Sequence, residues 1–240
     1  MQEERKYRDY IRSSGLVKFT VAEQETDLLI LAKEDLTLKA KPLVERYRKQ
    51  LENFISQNPG FREAFHPFRV PFLSPRIVRD MAWAAKRCMV GPMAAVAGAM
   101  AEAVGRELMV YSREVIVENG GDNFISIKRP IKVGIFAGAS PFSEKIALEI
   151  DPADSPCGVC TSSGTVGPSF SFGKADAVCV VARSAALADA AASAIGNVVQ
   201  DVNTINDGLE VAKKIKGLTG VLIIKDDRMG AIGKIKIVSV

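Results

Sequence analysis

Asp189 and Ser193 sit four residues apart in "ADAAASAIGN", residues 188–197. On a helix that spacing stacks the two side chains on one face, one turn apart. A carboxylate and a hydroxyl so related are hard oxygen ligands, suited to a Mg²⁺ ion that keeps some of its water and shares substrate phosphates. The same pair also reads as a charge favouring the helix dipole and a small packing residue. A second stretch, "CTSSGTVGPSFSFGKAD" at 160–176, carries hydroxyls at Thr161, Ser162, Ser163, Thr165, Ser169 and Ser171, with Gly164, Gly167 and Gly173 freeing the backbone. It can form a nest of donors around an anion, or an ordinary polar loop. It is not a Walker A loop, because five residues separate Gly167 from Gly173-Lys174 and Ala175 replaces the required Ser or Thr. A third, "VENGGDNF" at 117–124, sets Asn119, Gly120, Gly121 and Asp122 between β-branched and aromatic runs. Asn-Gly there signals a hairpin, since both central residues must tolerate positive φ. The rival reading is that two glycines let the backbone approach a ligand, with Asn119 and Asp122 offering a donor and a carboxylate.

Other chemistry is thin. "CGVC" at 157–160 has redox or metal spacing, but no second Cys or His pair completes a zinc set. Cys88 and Cys179 lie in apolar segments, where a free thiol acts as a small hydrophobe. The single histidine, His66, stands in the proline-rich "FHPFRVP" loop with no nucleophile placed beside it by sequence, so a Ser-His-Asp triad is not expected.

The elements that must position these groups follow from periodicity. "VKFTV" from Val17 and "LLILA" at 28–32 predict an N-terminal hairpin. Val44, Tyr47, Leu51, Phe54 and Ile55 recur at helical spacing, and "QNPG" at 57–60 stops that helix. Ser74 is expected to cap the next helix, with Pro75 in its first turn and Ile77, Met81, Ala85 and Cys88 on its buried face. Gly91-Pro92 ends it and opens "MAAVAGAMAEAVG", whose small side chains allow close packing against a sheet or a ligand. Strands are expected near 113–118, 123–127 and 132–136, then the Gly/Ser/Thr-rich segment 157–173, then a buried strand "AVCVVA" at 177–182. Ser184 caps "AALADAAASAIGN", which Gly196-Asn197 ends. A short helix and strands near 219–224 and 232–238 close the chain. No repeat or linker divides it, and the element order argues a single α+β domain spanning 1–240 rather than alternating βαβ units.

At 240 residues the chain can build one sizeable core. Its net charge of +4 is spread among mixed charges. The basic runs "RKYRDYIR" at 5–12 and "RYRKQ" at 46–50 interleave apolar residues and read as solvated faces, so nucleic acid is not an expected partner. The uncharged run 88–101 is fourteen residues broken by Gly91-Pro92, short of the roughly 20 that cross a bilayer, and reads as a buried helix pair. No membrane partner is expected. The polar first twenty residues carry no secretion pattern, which implies a cytoplasmic protein. A homo-oligomer is compatible with all of this.

Taken together, "GPMAAVAGAMAE" at 91–102, "ENGGD" at 118–122, and "CTSSGTVGPSFSFGKADAV" running on to "ADAAASAIGN" resemble an uncharacterised bacterial and archaeal family. That family is similar to ApbE, the FAD:protein FMN transferase once called a thiamine-biosynthesis lipoprotein. The resemblance implies an ApbE-like, T-fold-related antiparallel sheet packed with helices. It implies that Asn119, Gly120, Gly121 and Asp122 take the place of a turn lying against the flavin nucleotide, and that Thr161, Ser162, Ser163, Gly164 and Thr165 line the site. It makes Asp189 the metal carboxylate, with Ser193 standing where the family usually has threonine. Mg²⁺ and FAD or FMN are the implied cofactors, and a small-molecule nucleotide the implied ligand. "VGPMAA" stands where ApbE enzymes carry Lys-Gly-Tyr-Ala, and "EIDPAD" at 149–154 precedes the Thr-Ser-Gly turn and lacks the His and Thr-Gly of their His-Ile-x-Asp-Pro segment. The expected activity is therefore nucleotide binding with a divalent metal, with cleavage or transfer at a phosphoanhydride in a catalytic version. The alternatives are a non-enzymatic binding module and a structural or partner-binding protein.

Overall fold

The computed structural model describes Arg8, residues 15–166 and residues 171–240. Gly167, Ser169 and all of "RKYRDYIR" except Arg8 lie outside the described residues. The frame is an eight-stranded antiparallel sheet in the order β1-β2-β3-β4-β7-β8-β9-β10. Its strands are β1 (Val17–Glu23), β2 (Thr26–Ala32), β3 (Val115–Asn119), β4 (Asp122–Ser126), β7 (Cys157–Ser162), β8 (Ala177–Ala182), β9 (Leu218–Lys225) and β10 (Arg228–Gly233). A three-stranded sheet, β11-β6-β5, is built from β5 (Ile131–Gly134), β6 (Ile146–Ile150) and β11 (Ile237–Ser239).

One face of the large sheet carries the helices α1 (Thr37–Gln57), α2 (Gly60–Glu63), α3 (Arg76–Cys88), α4 (Val96–Leu108), α5 (Ala185–Gly196) and α6 (Ile205–Lys214). The other face packs on the small sheet. Side chains alternate between two cores: Phe124 and Val180 face the helices, while Ile125 and Cys179 face Leu148 and Ile150. This explains why β8 reads as an unbroken apolar run although its neighbours are antiparallel, since a strand covered on both faces needs no polar side.

Several boundaries differ from the sequence reading, for local reasons. The first hairpin turns tightly at Gln24, which adopts φ +50°, so both strands reach further than expected. Ser74 does not cap α3: Pro75 occupies the cap position, and the buried Ser74 hydroxyl has no hydrogen-bond partner among the described residues. A 3-10 turn, Pro92–Ala95, precedes α4, and the chain bends by 106° between α3 and the Pro92–Leu108 segment. Among the described residues no single helix is long and apolar enough to cross a membrane. Residues 232–238, expected as one strand, divide between β10 in the large sheet and β11 in the small one. The largest difference is at 157–162, which belongs to a buried central strand rather than a polar loop. Along that strand Cys157 and Cys160 point to opposite faces, so their thiols cannot join in one metal or redox pair.

Candidate functional site

The site begins with a close helix crossing. Gly98 at the start of α4 lies so near α5 that an added Cβ would sit 2.3 Å from Ala185 O and 2.8 Å from Asp189 Cβ. Below α5, Gly158 of β7 leaves the same kind of room, with a Cβ there meeting Ala185 Cα at 2.3 Å. Alanine-rich α5 is thereby pressed between α4 and the sheet. Glu102 locks the crossing: its Oε2 accepts from Ser184 Oγ at 2.9 Å and from Ala185 N at 2.7 Å, capping α5 from α4. Ser184 also caps the helix itself by accepting from Leu187 N.

This packing aims Asp189 at the N-terminus of α4. Gly98 N–H donates to Asp189 Oδ2 at 2.8 Å, and the Ala97 amide also donates to that carboxylate. Asp122 comes to the same place from the sheet. It opens β4 directly after the Gly120-Gly121 turn, on the helix-facing side with Phe124, and its carboxyl meets the Cys160 thiol and the Thr161 amide. The expected hairpin is present, but its two central residues are Gly120 and Gly121, at φ +67° and +101°, rather than Asn119 and Gly120, because Asn119 ends β3 paired with Asp122.

Two buried carboxyls so placed disfavour each other's ionisation. Burial raises Asp122 well above the usual carboxylate range, the Asp189 charge adds to the rise, and the Cys160 and Thr161 donors oppose it. Burial likewise pushes Asp189 up to about 7, against the pull of the Gly98 and Ala97 amides. Ser193 is half-buried one turn further along α5. The donors are all oxygens, and among the described residues no three His, Cys, Asp or Glu side chains gather into a cage. Carboxylate oxygens of this kind fit Mg²⁺ better than Zn²⁺.

The other expected residues are placed less directly. Asn119 Nδ2 donates to Ala97 O at 3.2 Å, tying the hairpin to the turn that carries Gly98. Gly121 N–H donates to Glu118 Oε1, so the double-glycine backbone faces its own strand. Thr161 contributes its amide to Asp122, while its hydroxyl crosses to the other sheet face and lies 3.3 Å from Cys179 Sγ. Ser162, next along, returns to the helix face near Gly196. Ser163 Oγ accepts from Thr165 N and Val166 N, Gly164 N–H donates to Ala175 O, and Thr165 Oγ1 donates to Asp176 Oδ1 at 2.9 Å. Those groups hold the loop to itself and to buried Asp176.

Sequence reasoning missed Glu102 and the Ala97-Gly98 amides. Gly98 within an alanine run was the one signal for them, since it marks a close approach.

The family model described as AbpE bacteria matches residues 8–217. A UPF0280 protein of Methanocella arvoryzae is 40% identical over 213 residues, covering 88% of this chain and 86% of the relative. One from Methanocaldococcus jannaschii is 41% identical over 202 residues, covering 82% of each. Among solved structures, the flavin transferase ApbE of Vibrio cholerae (H257G mutant) superposes with a TM-score of 0.58 at 13% identity, over 91% of this chain and 97% of that one. The apo flavinyl transferase ApbE of Pseudomonas stutzeri gives 0.53 at 12% identity, over 90% and 94%. The fold is thus ApbE-like, and the chain belongs to the uncharacterised UPF0280 family of AbpE-type proteins.

Proposed function

We propose that the protein binds a flavin nucleotide, FAD or FMN, or another phosphate-bearing nucleotide, together with Mg²⁺, and cleaves or transfers at the phosphoanhydride. The observation that carries this reading is the meeting of Asp122 and Asp189, from segments far apart in the chain, against the Ala97-Gly98 start of α4. Burial raises both carboxyls and the Asp189 charge adds to the rise at Asp122, so a divalent cation between them would offset both costs. Asp189, Asp122 and Ser193 are the residues that would hold it. When bound, the metal supplies neutralisation of the charge that develops on a phosphate leaving group. The chain's own residues do the positioning. Ala97 and Gly98 amides orient Asp189, and Glu102 keeps α4 and α5 in register. The solved neighbours named as flavin transferases make a flavin nucleotide the first ligand to test.

The experiment mixes protein with FAD and Mg²⁺ and follows both flavin binding and AMP release. Metal-dependent binding that Asp189→Ala abolishes supports the site, and AMP release supports cleavage. Binding without AMP reduces the protein to a binder. Metal dependence unchanged in Asp189→Ala removes Asp189 from the site.

A further inference from the structure

The end of α4 remote from Asp189 borders a cavity of about 440 Å³. Gly98 lies in the first turn of that helix and Met109 follows its last, which sets them about 16 Å apart at the rise of an α-helix. The strand beneath repeats the arrangement. Asp122 begins β4 at the carboxylates, Ser126 ends it at the cavity, and alternation puts both on the helix side with Phe124 between them. A volume of this size lies within the range that small-molecule sites occupy.

The polar groups of this cavity are unspent. Ser126 is 6% exposed, and its hydroxyl has no hydrogen-bond partner among the described residues. A nearly buried hydroxyl left without a partner costs free energy that a bound acceptor would return. Arg113 and Lys128 line the same cavity, both exposed and neither ion-paired among the described residues. The acids around them are engaged elsewhere. Glu114 pairs with Lys33 and accepts from Lys128 N–H, Asp154 pairs with Lys234 at 2.8 Å, and Asp151 accepts from Ala153 N. The remaining walls are apolar, from Met109, Ile127, Pro152 and Pro156. Ser155 fixes them, since its Oγ accepts from Ile127 N at 3.2 Å and donates to Ile127 O at 3.3 Å.

We propose that this cavity is a second ligand site, which takes a small organic oxyanion, a phosphate or carboxylate carried on an apolar body. Arg113 and Lys128 meet the charge, Arg113 as a planar fork of donors suited to two oxygens at once and Lys128 as a point charge. Ser126 adds the inner hydrogen bond, and the prolines, Met109 and Ile127 cover the apolar body. No carboxylate lines the cavity, so the ligand binds without a divalent cation. The site is therefore independent of the metal-and-phosphate reading of Asp122 and Asp189 and stands or falls separately.

The test titrates phenyl phosphate, phenylacetate and inorganic phosphate calorimetrically, in EDTA, into wild-type protein and into Arg113→Ala, Lys128→Ala, Ser126→Ala and Asp189→Ala. Wild type should bind phenyl phosphate or phenylacetate, the tighter of the two naming the oxyanion, and should bind inorganic phosphate more weakly for want of an apolar body. Arg113→Ala and Lys128→Ala should each weaken the preferred probe roughly tenfold, and Ser126→Ala roughly threefold. Asp189→Ala and added Mg²⁺ should change nothing. Neither cation has a partner in the fold, so their removal tests binding rather than folding. Absence of binding by both phenyl probes at millimolar concentration overturns the proposal. So does a loss in Asp189→Ala or a need for Mg²⁺, which would move the probe to the carboxylates. Full affinity in Ser126→Ala, or inorganic phosphate binding as tightly as phenyl phosphate, reduces the effect to surface charge and overturns it equally.

Discussion

If the paired carboxyls are as placed, stability in the presence of a chelator falls as pH rises through neutrality. Asp189 is raised from 3.8 to about 7 in the folded protein. An acid raised on folding contributes stability fully present below its unfolded value, and that contribution is lost as pH climbs to the folded value, because the unfolded chain gives up its proton first. Three units correspond to about 4 kcal/mol, of which the two units between pH 5 and pH 7 account for roughly 3 kcal/mol. Asp122 shifts in the same direction and steepens the fall. Carboxylates held below their usual range, such as Glu107 beside Tyr47 and Arg46, act the opposite way but at more acid pH. For a chain of this size ~3 kcal/mol moves Tm by roughly 6–12 °C. The assay is a melt series from pH 5 to pH 8 in EDTA for wild type and Asp189→Asn, followed by Mg²⁺ titration at pH 8. The Tm of wild type relative to the variant should drop by that amount across the series, and Mg²⁺ should restore wild type alone, by mass action on the folded state. A wild-type-minus-variant difference that stays flat across the series would show that burial does not hold the Asp189 proton, and the argument for a cation at that carboxyl would go with it.

Gly98→Ala forces a Cβ to within 2.3 Å of the Ala185 carbonyl, a backbone atom that cannot swing aside. It should cost about 1–3 kcal/mol as an overpacked contact and weaken the Mg²⁺ response by shifting Asp189, both read by melts with and without metal. Glu102→Ala removes the carboxylate that caps Ser184 and Ala185. A loss of about 1–2 kcal/mol in chemical denaturation is expected; no measurable loss would mean that Ser184 alone secures the start of α5.

Local chemistry is legible in the chain because it acts over a few residues. The span of β8, the Ser184 cap, the end of α5 at Gly196, the hairpin at Gly120-Gly121 and the spacing of Asp189 and Ser193 one turn apart all follow from spacing, capping and turn preference. The resemblance added the fold, which the superposition on ApbE structures bears out. The long-range geometry is not legible, because strand register and helix crossings are decided by contacts across the whole chain. Once 157–162 became a strand, period-two alternation sent the Thr161 hydroxyl to Cys179 and kept Cys160 and Ser162 on the side of α5, a division no hydroxyl count foretells. Asp176 likewise engaged Thr165 because β8 and the 163–165 loop lie side by side. The meeting of Asp122 with Asp189 belongs to this second class: it exists because Gly98 and Gly158 let α5 sit against both α4 and the sheet, and only packing in three dimensions brings those glycines to one helix.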